Sequence, residues 1–98
     1  MSQKAIALLG FARKAGKLAV GTAATTDAIK RGKAFLAIVA SDISEKSAKE
    51  IRFLCDKHNT VFSKSQLTTY DITAAIGTKA GIIALLDEGF AKSIAENL

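Results

Sequence analysis

Two short, uninterrupted apolar runs constrain what this chain can fold into more than any other feature. Residues 34–41 read AFLAIVAS and residues 80–87 read AGIIALLD. A continuous apolar run of this length, bounded by turn-forming or charged residues, is typical of a strand that is covered on both faces of a sheet. Both runs are too short to span a bilayer. The sequence therefore predicts a sheet that is buried between other layers.

Segments with helical periodicity alternate with these runs. In the first segment Ala5, Leu8, Leu9 and Ala12 recur at the spacing of one helix face. Helices are predicted over residues 3–14, 22–31 with Thr22 as the cap, 44–58, 65–76 and 89–98, and two further strands over 18–20 and 60–63. This alternation predicts an α/β fold, a three-layer α/β/α sandwich around a mixed sheet of about four strands. At 98 residues the chain has the usual size of one domain, predicted over residues 1–98.

Positive charge is concentrated in the first third of the chain. Residues 1–33 hold seven Lys or Arg against Asp27 alone, whereas the remaining residues hold seven basic and eight acidic side chains. A one-sided basic segment is the electrostatic signature of a polyanion site. Nucleic acid is favoured over a membrane because no long amphipathic helix with bulky apolar anchors accompanies the charge. The alternative is a solvated helix face without a partner.

The start of the second predicted helix is suited to an anion. Gly21 has no side chain to block close approach, and the free backbone N–H groups of Thr22–Thr25 form an anion site. Four cations near this turn would attract a polyanion from farther away: Lys17, Lys30, Arg31 and Lys33. The alternative is that Thr22 caps the helix and has no other role.

Signatures of catalysis or metal binding are weak. Residues 16–22, GKLAVGT, have the outer spacing of a phosphate-binding loop but lack the lysine after the second glycine. Cys55 and His58 could lie near one helix face, yet Cys55 falls on the apolar stripe, where a free cysteine is usually a small buried hydrophobe. Two ligands are also fewer than the four of a structural zinc site. We therefore expect no enzyme, cofactor, metal or small-molecule substrate.

Two longer stretches resemble a known family. Residues 11–44 read FARKAGKLAVGTAATTDAIKRGKAFLAIVASDIS and residues 74–94 read AAIGTKAGIIALLDEGFAKSI. In the order and spacing of their motifs they are similar to the ribosomal protein L7Ae/L30e family of kink-turn RNA binders, and most to its small bacterial branch. The similarity extends from Leu8 to Ile94. It implies an α/β/α sandwich that grips a sharply bent RNA duplex without catalysing a reaction.

The resemblance also implies a contact surface. In the family, RNA is held by the glycine and helix start after the first strand and by the loop before the last strand. These elements correspond here to Gly21–Ala24 and Gly77–Ala80. Within the loop, Thr78 and Lys79 would contact the RNA backbone.

Three positions depart from the family pattern. Gly21 and Thr22 match it, whereas Ala23 and Ala24 replace an asparagine and a glutamate that make polar contacts to bases, and Asp27 replaces a helical lysine. Asp27 is expected near the start of its helix, where its charge would repel phosphate. These departures indicate recognition of shape and backbone more than of sequence.

The resulting prediction is a cytoplasmic protein that binds structured RNA, ribosomal RNA among the candidates. A single tyrosine and no tryptophan argue against a platform that stacks single-stranded bases. The alternative is a protein-interaction module in which an ancestral RNA site has decayed. The predicted RNA-binding residues are Lys17, Gly21, Thr22, Ala23, Ala24, Lys30, Arg31, Thr78 and Lys79.

Overall fold

The computed structural model describes residues 3–98, which form five helices and four strands. In chain order these are α1 Gln3–Lys14, β1 Leu18–Val20, α2 Thr22–Lys30, β2 Leu36–Val39, α3 Glu45–His58, β3 Val61–Lys64, α4 Thr69–Ile76, β4 Ile82–Leu85 and α5 Glu88–Glu96. The prediction of one domain over residues 1–98 stays a prediction, and its first two residues lie outside the described part.

The four strands form one mixed sheet in the order β1-β4-β2-β3. Strand β4 runs antiparallel to both β1 and β2, and β3 runs parallel to β2. The register places Ala84 opposite Ala19 on one side and Ala37 on the other. Because β4 runs against its neighbours, the ends of β1 and β2 lie beside the start of β4.

Helices cover both faces of the sheet, which confirms the predicted α/β/α sandwich. Large side chains on one face, among them Leu36, Ile38 and Ile83, pack with buried residues of α1, α4 and α5. The other face, with Ala37 and Ala84, packs against α2 and α3. Side chains alternate between the faces along each strand, so each apolar run supplies both cores at once.

The start of α2 differs from the prediction that Thr22 caps it. Thr22 is the first helical residue, and Gly21 occupies the cap position with φ 93° and ψ 168° and no side chain to cap with. The helix ends at Lys30, with Arg31 as its C-terminal cap.

Helix α4 begins at Thr69, later than the predicted residue 65. The Ser65 hydroxyl accepts a hydrogen bond from the Leu67 N–H at 3.3 Å and donates one to the Val39 carbonyl at 3.2 Å, which holds a turn ahead of the helix. Thr68 then caps α4 through a reciprocal pair of hydrogen bonds with Asp71. Side-chain hydrogen bonds, one of them to a residue 26 positions away, therefore hold this segment outside the helix.

Candidate nucleic-acid interface

Antiparallel pairing of β1 with β4 brings two distant segments of the chain together. The Gly21 N–H, just after β1, donates to the carbonyl of Ile82, the first residue of β4, at 2.8 Å. The start of α2 therefore lies beside the loop that leads into β4. We call the surface formed by Gly21–Ala24 and Gly77–Gly81 the Gly21 edge. Thr78 and Lys79 are exposed on its loop, so these two predicted contacts join the predicted helix start.

The first turn of α2 presents backbone donors without a capping side chain. The Thr25 N–H bonds the Gly21 carbonyl at 3.0 Å, but the N–H groups of Thr22, Ala23 and Ala24 precede the intrahelical ladder. All three residues are exposed, and the turn holds no acidic side chain. A side chain caps each of three other helices: Ser44 in α3, Thr68 in α4 and Asp87 in α5. The start of α2 can accept an anion from outside the chain.

The space beside Gly21, at the start of α2, is open. A Cβ atom built on Gly21 would have no heavy atom within 4 Å, apart from its chain neighbours. Its φ of 93° with ψ of 168° belongs to a region that is essentially restricted to glycine. Glycine therefore serves both the backbone conformation and the approach of a ligand.

The loop of the Gly21 edge is held by hydrogen bonds and close packing. Gly77 ends α4 in the left-handed conformation, and its N–H donates to the Thr73 carbonyl at 2.8 Å. The Ala80 N–H donates to the Thr73 hydroxyl at 3.3 Å. At Gly81 a Cβ atom would lie 2.5 Å from Ile43 Cδ1, so a side chain there would force the neighbouring side chains to move. The loop is a defined partner for the helix start.

Asp42 holds the start of α4, the helix that leads into this loop, and was missed by sequence reasoning. Its carboxylate accepts hydrogen bonds from the Thr69 N–H and the Thr69 hydroxyl, both at 2.9 Å. The backbone bond, followed by the hydroxyl bond, lowers the pKa of Asp42 below its ordinary value. The contact joins the turn after β2 to the start of α4. No local pattern signals it, because the two residues are 27 positions apart.

The structure separates the predicted cations from the Gly21 edge. The Lys17 carbonyl accepts from the Leu86 N–H at 2.8 Å, just beyond the last residue of β4. Lys30 and Arg31 lie at the far end of α2, which is about 13 Å long. We call this opposite end of the sheet, with the ends of α1 and α2 and the turns after them, the basic edge: Arg13, Lys14, Lys17, Lys30, Arg31 and Lys33.

Asp27 lies farther along α2 than expected. It is the sixth residue of the helix, outside the first turn, and its Oδ1 pairs with Arg31 Nε at 3.0 Å. Both side chains are more than 60% exposed, at 62% and 63%. An exposed pair of this kind contributes at most about 1 kcal/mol. The carboxylate is nonetheless partly neutralised, so its repulsion of a phosphate at the start of α2 is weaker than the sequence suggested.

The features considered for catalysis do not assemble into a site. Cys55 is fully buried, and burial, with a smaller contribution from the Asp56 charge, raises the pKa of its thiol to about 11. The reactive thiolate is therefore scarce at neutral pH. Among residues 3–98, no group of three or more His, Cys, Asp or Glu could hold a metal ion. None of the helices in this described part is long and apolar enough to cross a membrane.

The fold and the Gly21 edge define a small α/β/α protein with an uncapped helix start beside the loop that precedes its last strand. The chain belongs to the ribosomal protein L7Ae/L30e/S12e/Gadd45 family, which matches residues 3–95. This confirms the family that the sequence resembles.

Individual relatives agree with this assignment. The chain is 34% identical over 98 residues to RNA-binding protein YlxQ from Enterococcus faecium, a match that covers 96% of this chain and 90% of that protein. This relative belongs to the small bacterial branch expected from the sequence. A solved structure of a protein with unknown function from Bacillus halodurans C superposes with a TM-score of 0.89 at 26% identity, covering 95% of this chain and 94% of that one.

Proposed function

We propose that this protein binds structured RNA at the Gly21 edge and holds a kink-turn or similarly bent duplex without catalysing a reaction. The observation that carries the proposal is the uncapped helix start at Gly21–Ala24, which has open space beside Gly21 and lies next to a loop held by hydrogen bonds. Membership of a family that includes ribosomal proteins and the likeness to a relative named as RNA-binding support RNA as the anion.

The side chains of the Gly21 edge favour recognition of the RNA backbone. Ala23 and Ala24 carry no hydrogen-bonding groups, so the donors of the first turn are backbone N–H groups together with the Thr22 hydroxyl. Such donors suit phosphate and ribose oxygens, which position an RNA without reading its sequence. Thr78 and Lys79, across the edge, add a hydroxyl and a cation. Two contact elements from separate parts of the chain suit an RNA whose backbone bends between them.

The chemistry of the single cysteine favours a binding function. The Cys55 thiol is buried with a raised pKa, so the thiolate that nucleophilic catalysis needs is scarce at neutral pH. We place the protein in the cytoplasm on ribosomal or another structured RNA.

The proposal is tested by a gel-shift series with a kink-turn RNA and a straight duplex of equal length and charge. Tighter binding of the kink-turn RNA is expected, with log Kobs falling linearly as log salt rises because backbone contacts release counterions. Indistinguishable affinities for the two RNAs would contradict recognition of a bend. Failure to bind either RNA would contradict the proposed function itself.

A second candidate function, docking of another protein, is favoured by one observation. Phe35 and Val61 are 43% and 60% exposed, respectively, and line one groove with Ala95 and His58. If this second function is correct, a protein partner should stay bound after nuclease treatment and should be lost in a Phe35→Glu variant. Loss of every partner on nuclease treatment would contradict it and favour RNA.

A further inference from the structure

The basic edge is a charged surface with a fixed framework. The Lys17 carbonyl accepts from the Leu86 N–H at 2.8 Å, and the Phe35 N–H donates to the Leu85 carbonyl at 2.9 Å. The chain before β1 and the chain before β2 therefore flank the same end of β4. Adjacent strands lie about 4.8 Å apart, so the backbone at Lys17 and the backbone at Phe35, on either side of β4, are about 10 Å apart. Lys33 lies two residues before Phe35, and its N–H donates to the Ala28 carbonyl of α2 at 2.9 Å.

Cations reach this end of the sheet from both helical layers. Helix α1 contributes Arg13 and Lys14 in its last turn, and it packs on one face of the sheet. Helix α2 ends in Lys30 and packs on the other face. The cations therefore lie around the start of β1 and the end of β4 and are not confined to one helix surface.

Most of this charge has no partner within the described part of the chain. Of the six cations of the basic edge, Arg31 forms an ion pair with a described carboxylate and the other five form none. Helix dipoles account for cations in the last turns of α1 and α2. They do not account for Lys17 and Lys33, which lie in the turns beyond.

Acidic side chains near this end of the sheet offset only part of the charge. Asp87 and Glu88 begin α5 after β4, and Asp87 accepts a hydrogen bond from the Phe90 N–H at 2.9 Å. The last turn of α3 ends near the same side of the sheet, and it adds Asp56 and Lys57, one charge of each sign. Positive charge remains in excess.

From this arrangement we infer that the basic edge is a second RNA contact, which holds the phosphate backbone of a duplex stem extending from the bent core at the Gly21 edge. The inference rests on the proposed function. The length of α2, about 13 Å, separates the two edges. Double-stranded nucleic acid carries a negative charge about every 1.7 Å along its axis, so several base pairs of one RNA suffice to bridge them. Lysines act on phosphate as point charges without reading the sequence.

The test compares two RNAs that share one kink-turn core, one with short stems and one with a stem extended by about ten base pairs. The wild-type protein should bind the extended RNA more tightly at 50 mM salt. If the extended stem makes two additional phosphate contacts, the ratio of the two affinities should fall about tenfold between 50 and 200 mM salt. Each contact steepens the plot of log Kobs against log salt by about 0.7 to 0.9.

Substitutions then assign the advantage to the basic edge. Lys17→Gln with Lys33→Gln should remove the gain from stem extension and leave binding of the short RNA unchanged. Both side chains are exposed and unpaired, so circular dichroism and thermal unfolding should match the wild type. The control pair, Lys49→Gln with Arg52→Gln, removes the same number of positive charges from α3, beside strand β3. That control pair should retain the gain.

Three outcomes would overturn the inference: equal wild-type affinity for short and extended RNAs, equal weakening of both RNAs by the Lys17 and Lys33 substitutions, or the same loss in the control pair. The first means that no stem contact exists, the second that these lysines act on the core, and the third that only net charge matters. Binding of a short straight duplex shows whether the proposed function fails independently of the stem contact. If it binds as well as the short bent RNA, bend recognition fails, whereas the comparison of stem lengths still reports on the basic edge.

Discussion

Thr25 combines complete burial with an unsatisfied hydroxyl. It is 0% exposed, and its Oγ1 has no hydrogen-bond partner. A buried polar group without a partner costs about 1–3 kcal/mol, and valine has nearly the same shape. Thr25→Val should therefore raise the free energy of unfolding by about 1 kcal/mol, measured by urea denaturation.

The half-buried neighbour Thr26 provides the control for this prediction. Thr26→Val should change the free energy of unfolding by no more than about 0.5 kcal/mol. A loss of stability in Thr25→Val would show that the hydroxyl has a partner in solution, such as an ordered water.

Alanine variants of Gly21 and Gly32 distinguish the effect of backbone strain from the effect of blocking the RNA. Both glycines have positive φ, 93° and 70°, and both have open space where a Cβ atom would be. Alanine at either position should destabilise the fold by about 1–3 kcal/mol. Only Gly21→Ala should also weaken binding of a short kink-turn RNA, several-fold, because its methyl group would fill open space on the Gly21 edge, where the RNA backbone is proposed to approach.

Binding and unfolding must both be measured for these variants, at a temperature where each is fully folded. Gly32 lies at the other end of α2, away from the Gly21 edge. Equal loss of RNA affinity in both variants would mean that strain alone is responsible and that Gly21 is only a structural turn.

Among the elements, α2 runs from the Gly21 edge to the basic edge. Its start is uncapped, and its second half holds the Asp27–Arg31 pair. If RNA follows the helix from one edge to the other, Asp27 faces the phosphates. Asp27→Lys should then tighten binding and steepen the log–log salt slope by about 0.7 to 0.9.

The same substitution should cost stability for a reason that the sequence did not reveal. It breaks an exposed i,i+4 pair and places two like charges four residues apart, at a total cost of about 0.5–1 kcal/mol. Asp27→Asn, which removes repulsion without adding a phosphate contact, should leave the slope unchanged. An unchanged slope in Asp27→Lys would place the RNA away from this face of α2.

The hydrogen bonds between the turn after β2 and the start of α4 predict that the stability of the fold depends on pH. Hydrogen bonds from Thr69 lower the pKa of Asp42, so the folded protein binds this proton less readily than the unfolded chain. The stabilisation is complete above the ordinary pKa of an aspartate and is lost as pH falls below about 4.

Melting temperatures between pH 6 and 2 check this prediction. The acid-induced fall should be shallower in Asp42→Asn than in the wild type, because asparagine has no charge to lose. Asp56→Asn on the exposed surface of α3 is the control and should follow the wild-type curve. Parallel curves for wild type and Asp42→Asn would show that the Thr69 bonds do not stabilise the ionised carboxylate.

For the molecule as a whole, the short sheet determines how charge is distributed. Strands of three or four residues leave the Gly21 edge and the basic edge at opposite ends of a body whose longest extent is 31 Å. The donors that suit close contact lie at one end, and the excess of cations lies at the other. If the proposed function and the stem contact are correct, one RNA is held by geometry at the first end and by charge at the second.

Much of the secondary structure was predictable because its signals are local. The bounds of α1 and β1 agree with the predicted residues 3–14 and 18–20, since amphipathic spacing and a left-handed Gly16 mark them within the segment itself. The same local reasoning misplaced the start of α4, because the Ser65 hydroxyl bonds Val39, which is 26 residues away. The expectation that Gly21–Ala24 share one contact surface with Thr78 and Lys79 came from the family resemblance.

By itself the sequence determined the layers of the fold and the residues available for contact, since apolar periodicity and glycine positions act through near neighbours. The tertiary structure alone decided that the cations predicted near Gly21 lie away from it. The antiparallel pairing of β4 with β1 brings the loop before β4 to Gly21 and carries Lys17, Lys30 and Arg31 to the other end of the sheet. Strand direction and order depend on contacts between residues far apart in the chain, which no local pattern encodes.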